Sequence, residues 1–310
     1  MGVAIILIHG RGPYPRKDTL EACWKSFLPP LPATAKVQMI HWTERFEYTP
    51  PLVPDAQWDC GSSASGGLDP ALDAAFGEAS ADQTLSDEAG DVVAQAWGLP
   101  DVGDALAAAK NKLIKSVFGV LSNQFNVQFA KDIENFFLHK RATLRDQTRD
   151  ELVEAIRREA GQGNAVLVVA HSFGSIVAYE ALREFSGATA QVHSLITLGS
   201  PLAWCYDIID DAKPNVVPAY ADLKAFPARG AGNWWNVLDP EDPIVMPPTK
   251  GVIGRPFLGM EYGGASRQVI DCVVRNLRSS DSLTSHHDWR GYLEATATQK
   301  AIRSFLSENV

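Results

Sequence analysis

A serine lies where an apolar run passes into a helical pattern. The stretch AHSFG, residues 170–174, places Ser172 between a histidine and a phenylalanine, with an alanine and a glycine at its two ends. A sharp turn from strand to helix exposes the side chain at the turn above the sheet edge, and small neighbours let the strand and the helix come close together. A serine hydroxyl in that position can attack a carbonyl carbon. The alternative is that Ser172 only caps the helix.

A serine hydroxyl is a weak nucleophile at neutral pH. It needs a base that takes its proton and a carboxylate that orients the base. The turn DPEDPIV follows an apolar run, and within it we favour Asp242 as the carboxylate, with Asp239 as the alternative. Turns favour Asp and Pro for conformational reasons alone, and this accounts for one of the two aspartates.

The candidate bases are two adjacent histidines in the stretch SHHDW, residues 285–289. We prefer His286, because its spacing to Trp289 resembles the His-x-x-aromatic arrangement of many hydrolases, and His287 is the alternative. Adjacent histidines tend to point apart, and no further ligand lies at a suitable spacing, so the sequence predicts no metal site.

The stretch IHGRG, residues 8–12, can supply hydrogen-bond donors to the oxyanion of a tetrahedral intermediate. We expect one donor from the backbone amides of this stretch and a second from the amide of Phe173, which lies at a helix start whose dipole favours negative charge. Gly10 and Gly12 would then border the substrate. A phosphate-binding loop is the competing interpretation, but the chain has neither GK[ST] nor GxGxxG.

These residues must be positioned by a larger fold, whose elements the hydrophobic pattern predicts. Short apolar runs rich in β-branched residues predict strands at 3–8, 37–42, 165–170, 193–198, 234–238 and 269–274. Several are apolar throughout, which is typical of strands buried on both faces of a parallel sheet. Helical patterns lie at 143–159, 173–185 and 292–306. The alternation predicts an α/β fold with a mostly parallel, doubly wound sheet that binds ligands at the carboxyl ends of its strands.

One long segment interrupts this alternation. Residues 45–140 exceed an ordinary loop, and helical patterns follow their Pro-, Gly- and Ser-rich beginning. The sequence therefore predicts a core of 1–44 and 141–310 and a helical cap or lid at 45–140. We favour a cap that is fixed on the core over a mobile lid whose apolar inner face shapes an acyl pocket.

Composition excludes several classes of function. The chain has 310 residues, 45% hydrophobic and 21% charged, and a net charge of −9. This charge argues against nucleic acid and anionic membrane surfaces as partners, since both need clustered Lys and Arg. No stretch reaches the roughly 18 apolar residues of a transmembrane segment, and the opening lacks the basic residues of an export signal. The four cysteines are dispersed, which predicts buried thiols and, with the other features, a cytoplasmic protein.

The AHSFG and IHGRG stretches, the order Ser, Asp, His and the strand end TLGSP resemble the α/β-hydrolase superfamily, especially its lipases and esterases. The resemblance covers about 1–45 and 140–310, but not the insertion. It implies Ser172 as the nucleophile, Asp242 as the acid and His286 as the base. It also implies the backbone amides of Arg11 and Phe173 as the oxyanion hole. The chain departs from fuller family members, because no antiparallel edge strand precedes the first strand and the insertion lies unusually early.

The expected substrate is a small carboxylic ester with an apolar acyl or alcohol part, bound near Gly10, Gly12, Trp204 and Trp289. The apolar insertion and the tryptophans favour this choice, although tryptophans are also common in cores. An acyl-enzyme that water resolves would make the protein a serine esterase, and no cofactor is implied. An acyltransferase or thioesterase would use the same three side chains. A binding protein on an inactive hydrolase scaffold is the alternative outside enzymes.

Overall fold

The computed structural model of the chain describes residues 2–10, 12, 14–42, 54–55, 58, 60, 142–184, 192–202, 233–239, 242, 244–245, 261–262, 267–276 and 286–310. The predicted cap at 45–140 therefore lies outside the described residues, except at the few positions between 54 and 60. The expected site residues Arg11 and Trp204 also lie outside them.

Parallel strands form the centre of the molecule. The strands are β1 (Val3–Ile8), β2 (Lys36–Ile40), β3 (Ala165–His171), β4 (Ser194–Leu198), β5 (Asn233–Leu238), β6 (Glu261–Tyr262), β7 (Arg267–Gln268) and β8 (Ile270–Val273). Six of them form one sheet in the order β2-β1-β3-β4-β5-β8, with every neighbouring pair parallel. The short strands β6 and β7 pair with each other in antiparallel orientation. The α/β class and the six long strands predicted from the sequence are confirmed.

The apolar runs follow from the position of each strand in the sheet. Every residue of β1, β3 and β4 is buried, because a central parallel strand is covered on both faces. Strand β8 lies at the edge and is only half-buried, and Val273 at its end is 66% exposed. Continuous apolar sequence therefore marks the central strands β1, β3 and β4, whose carboxyl ends lead into the candidate site.

Five helices pack around this sheet in the described part of the chain. They are α1 (Lys17–Ser26), α2 (Ala142–Gly161), α3 (Phe173–Glu184), α4 (Trp289–Glu294) and α5 (Thr296–Asn309). Helices α1, α4 and α5 share a core with alternate side chains of β1 and β3, while α2 and α3 pack on each other and cover the other face. The helix predicted at 292–306 is divided in two, because Ala295 leaves the helical conformation with ψ 135°. None of the described helices has the length and apolar character needed to cross a membrane.

The order in which successive strands are added to the sheet reverses at β1. Strand β2 lies on one side of β1 and β3 lies on the other, so a crevice opens at the carboxyl ends of β1 and β3. The residues that follow β1, β3, β4 and β5 therefore meet at one edge. These are His9, Ser172, Gly199 and Asp239.

Two tryptophans form the centre of one core layer. The rings of Trp24 in α1 and Trp289 in α4 stack with their centroids 4.9 Å apart, and both side chains are buried. The ring of Phe27 meets Trp289 edge-on at 5.4 Å. Trp289 is therefore a core residue, which corrects the expectation that it contacts substrate.

A disulfide corrects the prediction of buried thiols at two of the four cysteines. Cys23 in α1 is bonded to Cys60, with Cα atoms 5.6 Å apart. Cys272 in β8 is free and half-buried, and burial raises the pKa of its thiol. Disulfides persist mainly in oxidising compartments, so the cysteines no longer support the predicted cytoplasmic location, which stays a prediction.

Alkylation of the unfolded protein tests this disulfide. We expect Cys272 to react with iodoacetamide without reductant, and Cys23 and Cys60 to react only after reduction, as read by peptide mass spectrometry. The replacement Cys60→Ser should lower the free energy of unfolding by about 3–4 kcal/mol, because the bond closes a separation of 37 residues. Cys272→Ser is the matched control, and alkylation of Cys23 before reduction would contradict the bond.

Candidate active site

Ser172 occupies a strained turn between β3 and α3. Its φ is 52°, and no other non-glycine residue in the described part of the chain has a positive φ. That conformation costs an L-residue about 1–2 kcal/mol. Two backbone hydrogen bonds hold it: the N–H of Ser172 donates to Leu198 at 2.9 Å, and its carbonyl accepts from the N–H of Ser175 at 2.9 Å. The turn therefore holds the hydroxyl at the carboxyl end of β3.

Small residues let other segments come close to this turn. A Cβ on Gly174 would lie 2.5 Å from the carbonyl oxygen of His9, so α3 could not pack as closely on β1. A Cβ on Gly10 would lie 2.7 Å from the Cβ of Ser172. Gly10 thus borders the serine, and its expected contact with substrate stays a prediction.

Three side chains from distant segments form one hydrogen-bonded chain. Nε2 of His287 lies 2.8 Å from Oγ of Ser172, and Nδ1 of the same ring lies 2.7 Å from Oδ2 of Asp242. An ionised carboxylate only accepts, so the ring proton belongs on Nδ1 and Nε2 can accept the serine proton. All three side chains are buried, which corrects the prediction that Ser172 is exposed at the sheet edge. This geometry suits proton transfer from the hydroxyl to the imidazole, whereas an N-cap serine would bond to its own helix.

His286, the histidine preferred from the sequence, does not contact Ser172. Its Nδ1 lies 2.8 Å from Oδ2 of Asp239, so each of the adjacent histidines pairs with a different aspartate. The two imidazoles point apart, and His287 is the one directed at β3. The spacing from His286 to Trp289 was misleading, because that tryptophan packs in the core. The structure thus corrects the choice of histidine, while Asp242 is the aspartate joined to the serine through a histidine.

Asn276, which follows β8, holds the turn that carries both histidines. Its side-chain Nδ2 donates to the backbone carbonyl of His286 at 2.9 Å and to that of Asp288 at 2.8 Å. These two residues are the neighbours of His287 in sequence. Its backbone N–H donates to Oδ2 of Asp239 at 2.6 Å. The sequence reasoning missed this residue, because a single asparagine after an edge strand carries no signal of its partners.

Gly199, at the end of β4, leaves space for the aspartate and the histidine. Its φ is 52°, and a Cβ there would lie 2.7 Å from Cε2 of Tyr292, 3.0 Å from Oδ2 of Asp242 and 3.2 Å from Nδ1 of His287. The sequence reasoning used the TLGSP stretch only for its resemblance and assigned this glycine no role. A glycine at the end of a buried strand was the available signal.

His171, which precedes the serine, is a neutral buried histidine. Its pKa lies well below the usual value, first because of burial and then because of His287, with a smaller contribution from His9. The hydrogen bond between its Nε2 and the carbonyl of His287, 3.0 Å long, opposes this shift. A neutral ring places no second positive charge beside His287 when that imidazole takes up a proton.

The expected oxyanion hole is described only in part. Phe173 is the first residue of α3, directly after the serine, where the helix dipole stabilises negative charge. Its ring stacks on Trp42 with centroids 5.1 Å apart. Gly12, expected near the substrate, lies against Tyr14, since a Cβ there would be 3.2 Å from the ring. The described residues include no group of three metal-ligating side chains.

The replacement Gly199→Ala tests the need for space beside the carboxylate. Gly163→Ala is the matched control, because Gly163 also has a positive φ, 76°, but a Cβ there would meet no atom within 4 Å. We expect the control to lose about 1–2 kcal/mol from backbone strain alone. Gly199→Ala should lose more and should also abolish any reactivity of Ser172. Urea unfolding measures the first effect, and equal losses in the two variants would contradict the crowding argument.

The low pKa of His171 predicts a pH dependence of stability. Below pH about 6.5 the unfolded chain binds a proton at this residue and the folded protein does not, so the free energy of unfolding falls as the pH is lowered. The variant His171→Gln should reduce this slope between pH 5 and 6 by an amount approaching about 1.4 kcal/mol per pH unit. Urea unfolding across that range measures the slope, and an unchanged slope would show that the folded protein binds the proton.

Comparison with models of protein families gives no match to this chain, and comparison with curated proteins gives none either. The three buried side chains of Ser172, His287 and Asp242 are joined end to end by hydrogen bonds at the carboxyl edge of a parallel sheet.

Proposed function

We propose that the protein is a serine hydrolase of carboxylic esters with an α/β-hydrolase fold. In this proposal Ser172 is the nucleophile, His287 is the general base and Asp242 orients the base. One observation carries it: His287 bridges the serine hydroxyl, at 2.8 Å, and the aspartate carboxylate, at 2.7 Å. The left-handed turn at Ser172, between a buried strand and a helix, supports the same assignment.

The first half of the reaction forms an acyl-enzyme. Oγ of Ser172 attacks the ester carbonyl carbon while its proton passes to Nε2 of His287. The negative charge on the carbonyl oxygen is stabilised by backbone amides, for which we propose Phe173 and Arg11. The tetrahedral intermediate then collapses, the bond to the alcohol oxygen breaks, and the imidazolium gives its proton to the departing alcohol.

The second half releases the acid and restores the serine. A water molecule attacks the acyl carbon and gives a proton to His287, and the bond to Oγ breaks as Ser172 regains that proton. Asp242 keeps the imidazole in the orientation that both halves require. The neutral ring of His171 favours each step in which His287 carries a positive charge.

An ester with an apolar acyl or alcohol part is the proposed substrate. The apolar patterning of the insertion supports this choice. The rings of Trp42 and Phe173, which stack 5.1 Å apart beside the serine turn, do not support it, because both side chains are buried. Trp289 no longer supports it, because its side chain is in the core.

Covalent labelling tests whether the serine is reactive. We expect a fluorophosphonate probe to modify the wild type at Ser172 and to leave Ser172→Ala unmodified, as read by peptide mass spectrometry. Ser307→Ala, at an exposed serine in α5, is the matched control and should label like the wild type. A wild type that stays unlabelled, while a known esterase reacts, would favour a binding protein on an inactive scaffold.

Separate alanine replacements of the two histidines, read by ester turnover and by fluorophosphonate labelling, test which histidine is the base. His287→Ala should reduce turnover of a p-nitrophenyl ester on the order of 10⁶-fold, as far as loss of the serine itself, because the three side chains act as a unit. His286→Ala should retain labelling at Ser172, because its imidazole pairs with Asp239. The opposite pattern would restore His286 as the base.

A further inference from the structure

The hydroxyl of Tyr292 in α4 connects the two aspartates of the site. It donates to Oδ2 of Asp242 at 2.7 Å and accepts from the backbone N–H of Asp239 at 3.0 Å. Each of these aspartates also pairs with one of the adjacent histidines, His287 and His286 respectively. One phenol oxygen therefore lies between two buried carboxylate–imidazole pairs.

We infer that Tyr292 is a positioning residue for Asp242, an inference that rests on the proposed function. Oδ1 of Asp242 accepts from the N–H of Ile244 at 2.8 Å, so Ile244 and Tyr292 each donate to a different oxygen of the carboxylate. Together these donors fix rotation of the carboxylate about its χ2 bond. Oδ2 is thereby held towards Nδ1 of His287.

The same hydroxyl stabilises the turn on which Asp242 lies. The N–H of Asp242 donates to the carbonyl of Asp239 at 3.0 Å and closes a four-residue turn. Tyr292 contacts both ends of that turn, the backbone at Asp239 and the side chain at Asp242. It therefore sets the position of the carboxylate as well as its rotation.

Tyr292 is itself fixed and remains a donor. Its side chain is completely buried, and its ring lies so close to Gly199 that a Cβ there would be 2.7 Å from Cε2. Burial raises the pKa of the phenol well above its usual value, and the charge of Asp242 raises it further. The hydroxyl therefore keeps its proton at neutral pH and remains a donor to Asp242.

The variant Tyr292→Phe removes the hydroxyl and keeps the ring. We expect kcat for a p-nitrophenyl ester to fall about 10- to 100-fold, the scale that misplacement of a reacting group costs, with KM nearly unchanged. The fluorophosphonate labelling rate should fall by a similar factor. Tyr179→Phe is the matched control, because Tyr179 is also completely buried but lies in α3, and we expect it to keep wild-type kcat.

Proton NMR provides a readout that does not depend on turnover. The Nδ1 proton of His287, hydrogen-bonded to Asp242, should give a downfield resonance that is absent in His287→Ala. We expect Tyr292→Phe to shift or broaden this resonance and Tyr179→Phe to leave it in place. An unchanged resonance together with unchanged kcat, in folded Tyr292→Phe protein, would overturn the inference.

The outcomes separate this inference from the proposed function. A wild type that does not label with fluorophosphonate contradicts the function, and the resonance still tests whether Tyr292 positions Asp242. A wild type that labels, with Tyr292→Phe and Tyr179→Phe equally active per folded molecule, supports the function and rejects the inference. A fall in kcat that only follows the folded fraction, measured by urea unfolding, also rejects it.

Discussion

The hydrogen bond between Asp242 and His287 is buried, and the neighbouring groups hold both partners in place. A buried carboxylate is tolerated only when its oxygens are well bonded, because loss of a donor leaves a buried charge without compensation. Here both oxygens have donors, and the imidazole in turn contacts Ser172. The atoms of this carboxylate and imidazole therefore contribute both to the stability of the fold and to the proposed chemistry.

The parallel sheet explains how such distant residues meet. Strands β3, β4 and β5 run side by side in one direction, so the residues that follow them collect at one edge. Strand β8 extends this edge and contributes Asn276, which holds the turn that carries the histidines. The site thus depends on the register of four strands rather than on any single loop.

Much of this fold could be predicted from the sequence, because burial on both faces leaves continuous apolar runs. The serine turn was also predictable, since its small neighbours and the helix that follows are all local. The choice between His286 and His287 was not. Adjacent residues have the same neighbours in sequence, and the directions of their side chains depend on Asn276 and Asp239, which follow two distant strands. The bond between Cys23 and Cys60 was missed for a similar reason, because dispersed cysteines reveal nothing about which of them meet.

The residue that follows strand β4 contributes space to the centre of the site and no functional group. At Gly199 the missing side chain leaves a volume that Tyr292, Asp242 and His287 fill from three directions. A saturation screen scored by the proposed activity would therefore rank this position beside the proposed catalytic residues, although it has no group that could take part in a reaction. Intolerance to substitution can thus mark a shape requirement as readily as a chemical one.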